Sequence, residues 1–312
     1  MRSLCLLIAL FQTTPIVAQV PDVLKAMAAI DSTASQEIRF DLGDGLPAGG
    51  HLQGIQWIHR GGADALLLSG SSAAHSYFLT VTLNDAEVKP ATFTKLLDSP
   101  FRHAGGIQVV AKRYVAVGLE DNHTMDIAKL WIVDGERALS DPLVAINRSG
   151  EVKRATAGAV AMASVGNRCL LIVGTWDSAT LDVYWSDSTP WSKPVKPFEK
   201  RETWSAATAD RKGWSDQGYG SYQNLNLIRE DSGKLFLVGF CLDDDSHRMD
   251  LFEFLLDDKT PTSQRLIKRA TKLFDCAKTS FKAGAGLRVL DDGSLKIYAC
   301  SHREGVIEVF EN

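Results

Sequence analysis

One phrase recurs along this chain and limits what it can fold into. His51, Gly54, Ile55 and Gln56 return as His103, Gly106, Ile107 and Gln108 at the same spacing, each set opening an apolar run. Weaker copies follow at Ala157-Gly158-Ala159-Val160, at Ser221-Tyr222-Gln223-Asn224-Leu225 and at Ala285-Gly286-Leu287-Arg288. With Gly54, Gly106, Gly158, Gln223 and Gly286 as anchors, the steps are 52, 52, 65 and 63 residues. Self-similarity at such a period means one supersecondary unit has been copied, and each copy must bury its faces against its neighbours.

The content of the unit is strand-like. A first, glycine-rich strand is followed by a more apolar second strand: 65–70, 114–118, 169–174, 234–239 and 294–300. Third strands follow at 76–83, 128–133, 180–185, 249–255 and 305–310, and a variable fourth completes the unit. Four strands per repeat is the signature of a β-propeller blade, so the predicted fold is all-β, a five-bladed β-propeller formed by one domain over 36–312. The longer third and fourth steps require insertions. Two separate sandwich domains are the competing architecture. In a propeller the innermost strand runs where room is least, which accounts for Gly105, Gly106, Ala157, Gly158, Ala159, Ala283, Gly284, Ala285 and Gly286. The last copy ends just after its third strand. The alternating stretch Gln36–Leu42 precedes the first copy with no blade of its own. It is therefore expected to close the ring as the missing outer strand. Residues 24–33 read as a short helix or an irregular lead-in.

Residues 1–18 read as a signal peptide. Arg2 is followed by an apolar run from Leu4 to Phe11, too short to span a bilayer, and Ala18 offers a cleavage site. The mature chain is then expected to be secreted or periplasmic, with no membrane span. The net charge of -4 is spread without a basic stripe, which argues against a nucleic-acid partner. Outside the leader stand Cys169, Cys241, Cys276 and Cys300. Export permits disulfides, but four cysteines allow three pairings and sequence does not choose. Cys169, inside an apolar run, reads as a buried free thiol.

Antiparallel alternation places the starts of the inner strands and the loops between second and third strands at one end of the axis. That face should gather His51, Gln56, His103, Gln108, Arg154, Trp176, Tyr222, Gln223 and Lys282 as ligand-binding candidates, with His302 on the rim. A concave rim of polar and aromatic groups is the default ligand site. The repetition of His51 and His103 is equally the mark of a structural job done twice. Catalytic candidates are the loop carboxylates Glu120, Asp121 and Asp177, since glycoside hydrolysis needs two carboxyl groups flanking the bond. No GxSxG, HExxH or Walker sequence occurs. No cofactor is expected. Asp243-Asp244-Asp245 offers oxygen ligands suited to calcium but lacks the spacing of an EF-hand loop and reads as a solvated turn. The insertion between Trp185 and Tyr222 carries Trp191, Trp204, Trp214 and Tyr219. Its later part is expected to return over the ligand face, where indoles suit sugar recognition, or else to cover blade edges. Asn122 and Asn147 open glycosylation acceptor triplets, relevant only in a eukaryotic host.

In its repeat architecture, though in no functional motif, the chain resembles five-bladed propellers in general, such as tachylectin-like lectins and arabinanase-like enzymes. The resulting expectation is an exported binding protein recognising a glycan or small ligand at the axial face. The alternatives are a glycan-directed hydrolase using loop carboxylates, and a scaffold that engages another protein.

Overall fold

In the computed structural model, which describes residues 19–312, each of the first four repeats is four antiparallel strands in chain order, the second and third being joined edge to edge into one eight-stranded sheet. The leader expected at 1–18 lies outside the described residues. The first sheet runs His51–Arg60, Ala63–Ser71, His75–Thr82 and Ala91–Asp98. The second runs His103–Val110, Tyr114–Glu120, Ile127–Asp134 and Pro142–Ser149, and the third Ala159–Val165, Arg168–Gly174, Thr180–Ser186 and Glu199–Ser205. The fourth holds Asn224–Arg229, Leu235–Asp243, Ser246–Phe254 and Leu266–Phe274. In the last sheet Gly284–Val289, Leu295–Cys300 and Val306–Phe310 are followed by Gln36–Phe40, antiparallel to Val306–Phe310, and then by Val88–Lys89, parallel to Gln36–Phe40. The architecture is all-β and propeller-like.

Why these sheets stack is visible in their second strands. Leu66 and Leu68 pack against Tyr298 and Ile307 of the last sheet, whereas Ala65 and Leu67 pack against Val115 and Val117 of the second. Leu171 and Val173 face the second sheet while Leu170 and Ile172 face the fourth. Alternating side chains of one strand point to opposite faces, so a strand apolar at every position needs a neighbour on both sides. The same pooling joins the fourth sheet to the last, through Phe236 and Val238 against Leu295 and Ile297. Burying a large aliphatic side chain stabilises by about 1.5–3 kcal/mol, so these shared layers carry most of the cohesion.

The expected lead-in helix is Val23–Ala29, capped by the Asp22 carboxylate, which accepts from Lys25 N–H at 2.9 Å. Val20, Val23, Met27 and Ile30 join the layer between the fourth and last sheets. All four described cysteines are free thiols, with Cys169, Cys241 and Cys300 buried. Burial pushes each of their thiols up, to about 12. Among the described residues no helix is long and apolar enough to cross a membrane.

At the axis the inner strands touch each other directly. Gly106 N–H donates to Gly158 O at 2.9 Å, and Gly106 pairs in parallel with Ala159. A Cβ on Gly105 would overlap the carbonyl of Gly158, and one on Gly286 the carbonyl of Ile55. Below this level Gln108 ties three sheets together. Its Oε1 accepts from Met162 N–H at 2.8 Å and Leu227 N–H at 2.9 Å, and its Nε2 donates to Leu227 O at 2.8 Å. Gln56 donates to Asn226 Oδ1 at 3.2 Å, and that oxygen also accepts from Leu287 N–H at 3.1 Å. Gln56 and Gln108, expected at a ligand face, thus spend these hydrogen-bonding groups on neighbouring strands, which the long amides bridge.

Removing those amides is expected to be costly. Gln108→Leu strands two N–H groups and one carbonyl in the interior, and should destabilise by about 2–4 kcal/mol in chemical denaturation. Gly286→Ala places a methyl against a main-chain oxygen that cannot turn away, and should prevent folding, read as loss of soluble monomer.

Candidate functional site at the axial face

The two copies of the opening histidine come to lie side by side. His51 and His103 start neighbouring inner strands, and their ring centroids are 6.0 Å apart. The loop after Cys300 brings a third imidazole, His302, to 5.8 Å from His51. It is held there by an Nδ1 contact of 3.1 Å to Leu52 O and by Leu52 N–H donating to its carbonyl at 2.8 Å. Glu120 ends the second strand of the second sheet, directly across from His103. Its Oε1 lies 3.1 Å from His103 Nδ1, while its Oε2 accepts from Ala157 N–H at 2.6 Å. The carboxylate is 1% exposed and spans the seam between the second and third sheets. Beside it is Gly158, where an added Cβ would meet nothing nearer than Glu120 Oε1 and Thr175 O, both at 3.9 Å. Gly158 therefore stands beside the His103–Glu120 pair with room for a methyl group.

Other expected residues border the same end. Half-buried Trp176 donates its N–H to Thr156 Oγ1 at 2.7 Å. Half-buried Gln223 and exposed Lys282 flank the starts of the last two inner strands. Asp177 is exposed, sits at φ 56°, and accepts from Ser221 Oγ at 2.8 Å. Asp121 folds back on its own turn, accepting from His123 N–H at 2.8 Å and Thr124 Oγ1 at 2.7 Å.

Two expected residues are elsewhere. Arg154 lines a separate cleft of about 350 Å³ whose lining contains none of the three histidines. There it grips Asp182 with two hydrogen bonds of 2.8 and 2.5 Å, and Arg148 adds an ion pair at 2.9 Å. Burial pushes the Asp182 carboxyl up, but the hydrogen bonds from Arg154 and Thr203 and the arginine charges outweigh it, holding the group at about 2. Tyr222 turns into the fourth sheet, 2% exposed, and donates to Asp250 Oδ2 at 2.5 Å. Asp250 also receives Thr271 Oγ1 at 2.7 Å and lies 3.0 Å from Lys268 Nζ. Asp182 and Asp250 are copies of one device. Each faces a threonine directly across on the outer strand, Thr203 and Thr271, and that shared cross-strand pairing is the signal by which the sequence could have disclosed them. Two tryptophans of the insertion are also interior. Trp204 and Trp214 belong to the layer between the third and fourth sheets, and Trp214 Nε1 donates to Leu266 O at 3.0 Å. Half-buried Trp191 packs on Tyr114 at the layer between the second and third sheets.

Among the described residues no group of three histidine, cysteine or acidic side chains is arranged to hold a metal ion. Asp244 and Asp245 form a turn at positive φ, and Asp243 pairs with Arg248.

No family model matches this chain, and no curated protein matches it. Solved structures do. The chain is similar to the α-L-arabinofuranosidase PaAbf62A of Podospora anserina, solved in complex with cellotriose, at 12% identity and TM-score 0.52, over 91% of this chain and 98% of that one. It is similar to a hypothetical protein of Leishmania major at 11% identity and TM-score 0.52, over 91% and 90% of the two chains. At these identities the likeness is one of fold, and the fold is a β-propeller.

Burial pushes the His51 imidazole down to about 4, with the neighbouring His103 and His302 adding to the effect, and burial also lowers His302. A histidine whose folded pKa lies below its unfolded value near 6.5 is protonated first in the unfolded chain. Stability from this group is thus complete above about 6.5 and falls as pH drops toward 4. Thermal melts across that window should show a falling Tm, with a shallower slope in His51→Gln. For the acidic device, Asp250→Ala removes the acceptor of Tyr222 and Thr271 and one of the two carboxylates at buried Lys268, which keeps Asp216 at 2.7 Å, and should cost about 1–3 kcal/mol.

Proposed function

We propose that this protein is a five-bladed propeller over 36–312, its ring completed by Gln36–Phe40, and that it acts as an exported binding protein for a glycan or similar polyhydroxylated ligand at the axial face. The observation that carries this reading is the cluster of His51, His103 and His302, with Gly158 beside the His103–Glu120 pair. A neutral imidazole offers one donor and one acceptor, the pairing that a sugar hydroxyl uses. Half-buried Trp176 adds an amphipathic ring of the kind that packs against a sugar face. Hydrolysis is less well supported. Of the three carboxylates, Glu120 is bound to Ala157 N–H and Asp121 to its own turn, so no two free carboxyl groups face one another as glycoside cleavage requires.

A glycan array followed by calorimetry tests the reading. The expected result is binding that falls at least about tenfold in His51→Ala and in Gly158→Val, the second filling the space beside the His103–Glu120 pair without removing a polar group. Binding to no glycan, or binding indifferent to both changes, sinks it. Turnover of an arabino-oligosaccharide that disappears in Glu120→Gln would move the assignment to a hydrolase.

A further inference from the structure

The opposite end of the axis carries a feature outside that reading. Toward the ends of the inner strands lies a cavity of about 90 Å³ lined by residues from every one of them. Its deep wall is the amide belt of Gln56 and Gln108, whose hydrogen bonds are taken up by neighbouring strands. Toward the mouth the chemistry changes. Trp57 Nε1, Ser164 Oγ and Arg229 Nε all belong to lining residues, are buried, and have no hydrogen-bond partner. Trp57 is 6% exposed and Ser164 7%. A buried donor without an acceptor is costly, and a single such atom is uncommon in a folded protein. Three on the wall of one cavity call for a shared acceptor.

Charge points the same way. The cavity is lined by three cations, Lys112, Arg229 and Arg288, and by no carboxylate. Lys112 pairs with Asp291 at 2.9 Å, but that acid is 84% exposed and stands outside the lining. The Arg288 guanidinium rests 3.5 Å from the centre of the Trp57 ring, which fixes the indole in place. Arg229 is fixed through its main chain, because its carbonyl accepts from Val20 N–H at 3.0 Å. The rest of the wall is hydrocarbon, from Val109, Met162, Leu227 and Leu287. Unpartnered donors and positive charge in the lining of an apolar hollow match an oxyanion that carries a short hydrocarbon tail.

We propose that the lower axial cavity is a second ligand site, which takes the carboxylate of a small organic acid through Trp57 Nε1, Ser164 Oγ and Arg229. The apolar wall selects a carboxylate with a hydrocarbon body over inorganic phosphate, which has none.

The probes are butyrate and benzoate, their neutral amides, and inorganic phosphate, added to the intact protein. Binding is read from the Trp57 indole N–H resonance, assigned with Trp57→Phe, and from calorimetry. A carboxylate should shift that resonance saturably, and its amide should bind at least about tenfold more weakly. Arg229→Gln should weaken the carboxylate by a similar factor and Ser164→Ala by less, with melting temperatures near that of the parent protein as the check on folding. Should Arg229→Gln fail to fold, Arg288→Gln tests the same charge from the rim. Equal binding of acid and amide overturns the proposal. So does a Trp57 resonance unmoved by either carboxylate, or phosphate binding without carboxylate binding.

Discussion

Everything in this structure depends on how closely the inner strands approach each other at the axis. Gly105 against the Gly158 carbonyl and Gly286 against the Ile55 carbonyl are contacts that no side chain would allow. They bring main chains of separate sheets within hydrogen-bond range at the upper end, as in the Gly106–Gly158 bond. One level lower the strands have diverged, and Gln56, Gln108 and Asn226 fill the distance with side-chain amides. At the lower end His59 N–H again bonds a neighbouring sheet, donating to Lys112 O at 2.8 Å, and beside it lies the cavity lined by Lys112, Arg229 and Arg288.

The two ends of the axis differ in character. At the upper end the inner strands are packed tightly, and the loop and strand-start residues His51, His103 and His302 cluster there. The low pKa of His51 follows from this position, partly withdrawn from water and beside two other imidazoles. At the lower end Trp57, Ser164, Arg229 and Arg288 line a hollow, with the Arg288 guanidinium resting on the Trp57 ring.

Between the sheets, buried carboxylates do a job that apolar packing does not. Asp182 and Asp250 are each 1% exposed or less, and each collects a cross-strand threonine and two or more cations. A buried charge is tolerated only when paired and hydrogen-bonded, so these clusters constrain which residues can stand around them. Arg154 and Tyr222 are drawn into them and away from the axial face, although both lie close in sequence to inner-strand starts.

The sequence by itself determined the repeat, the strand content and the crowding at the axis, because period-two alternation and recurring glycines are local facts that a chain carries in its own order. It also determined that His51 and His103 occupy equivalent places. Which side chain faces which neighbour was decided only by tertiary structure. Gln56 and Gln108 became struts because two strands far apart in sequence happen to lie one amide length apart. Trp204 and Trp214 became core because the third and fourth sheets needed their edges covered. The lower cavity left no trace in the repeat, since Trp57, Ser164, Arg229 and Arg288 come from different strands at unequal distances from the repeat anchors. A site assembled from one residue per strand is set by the geometry of the ring, and no local pattern encodes it.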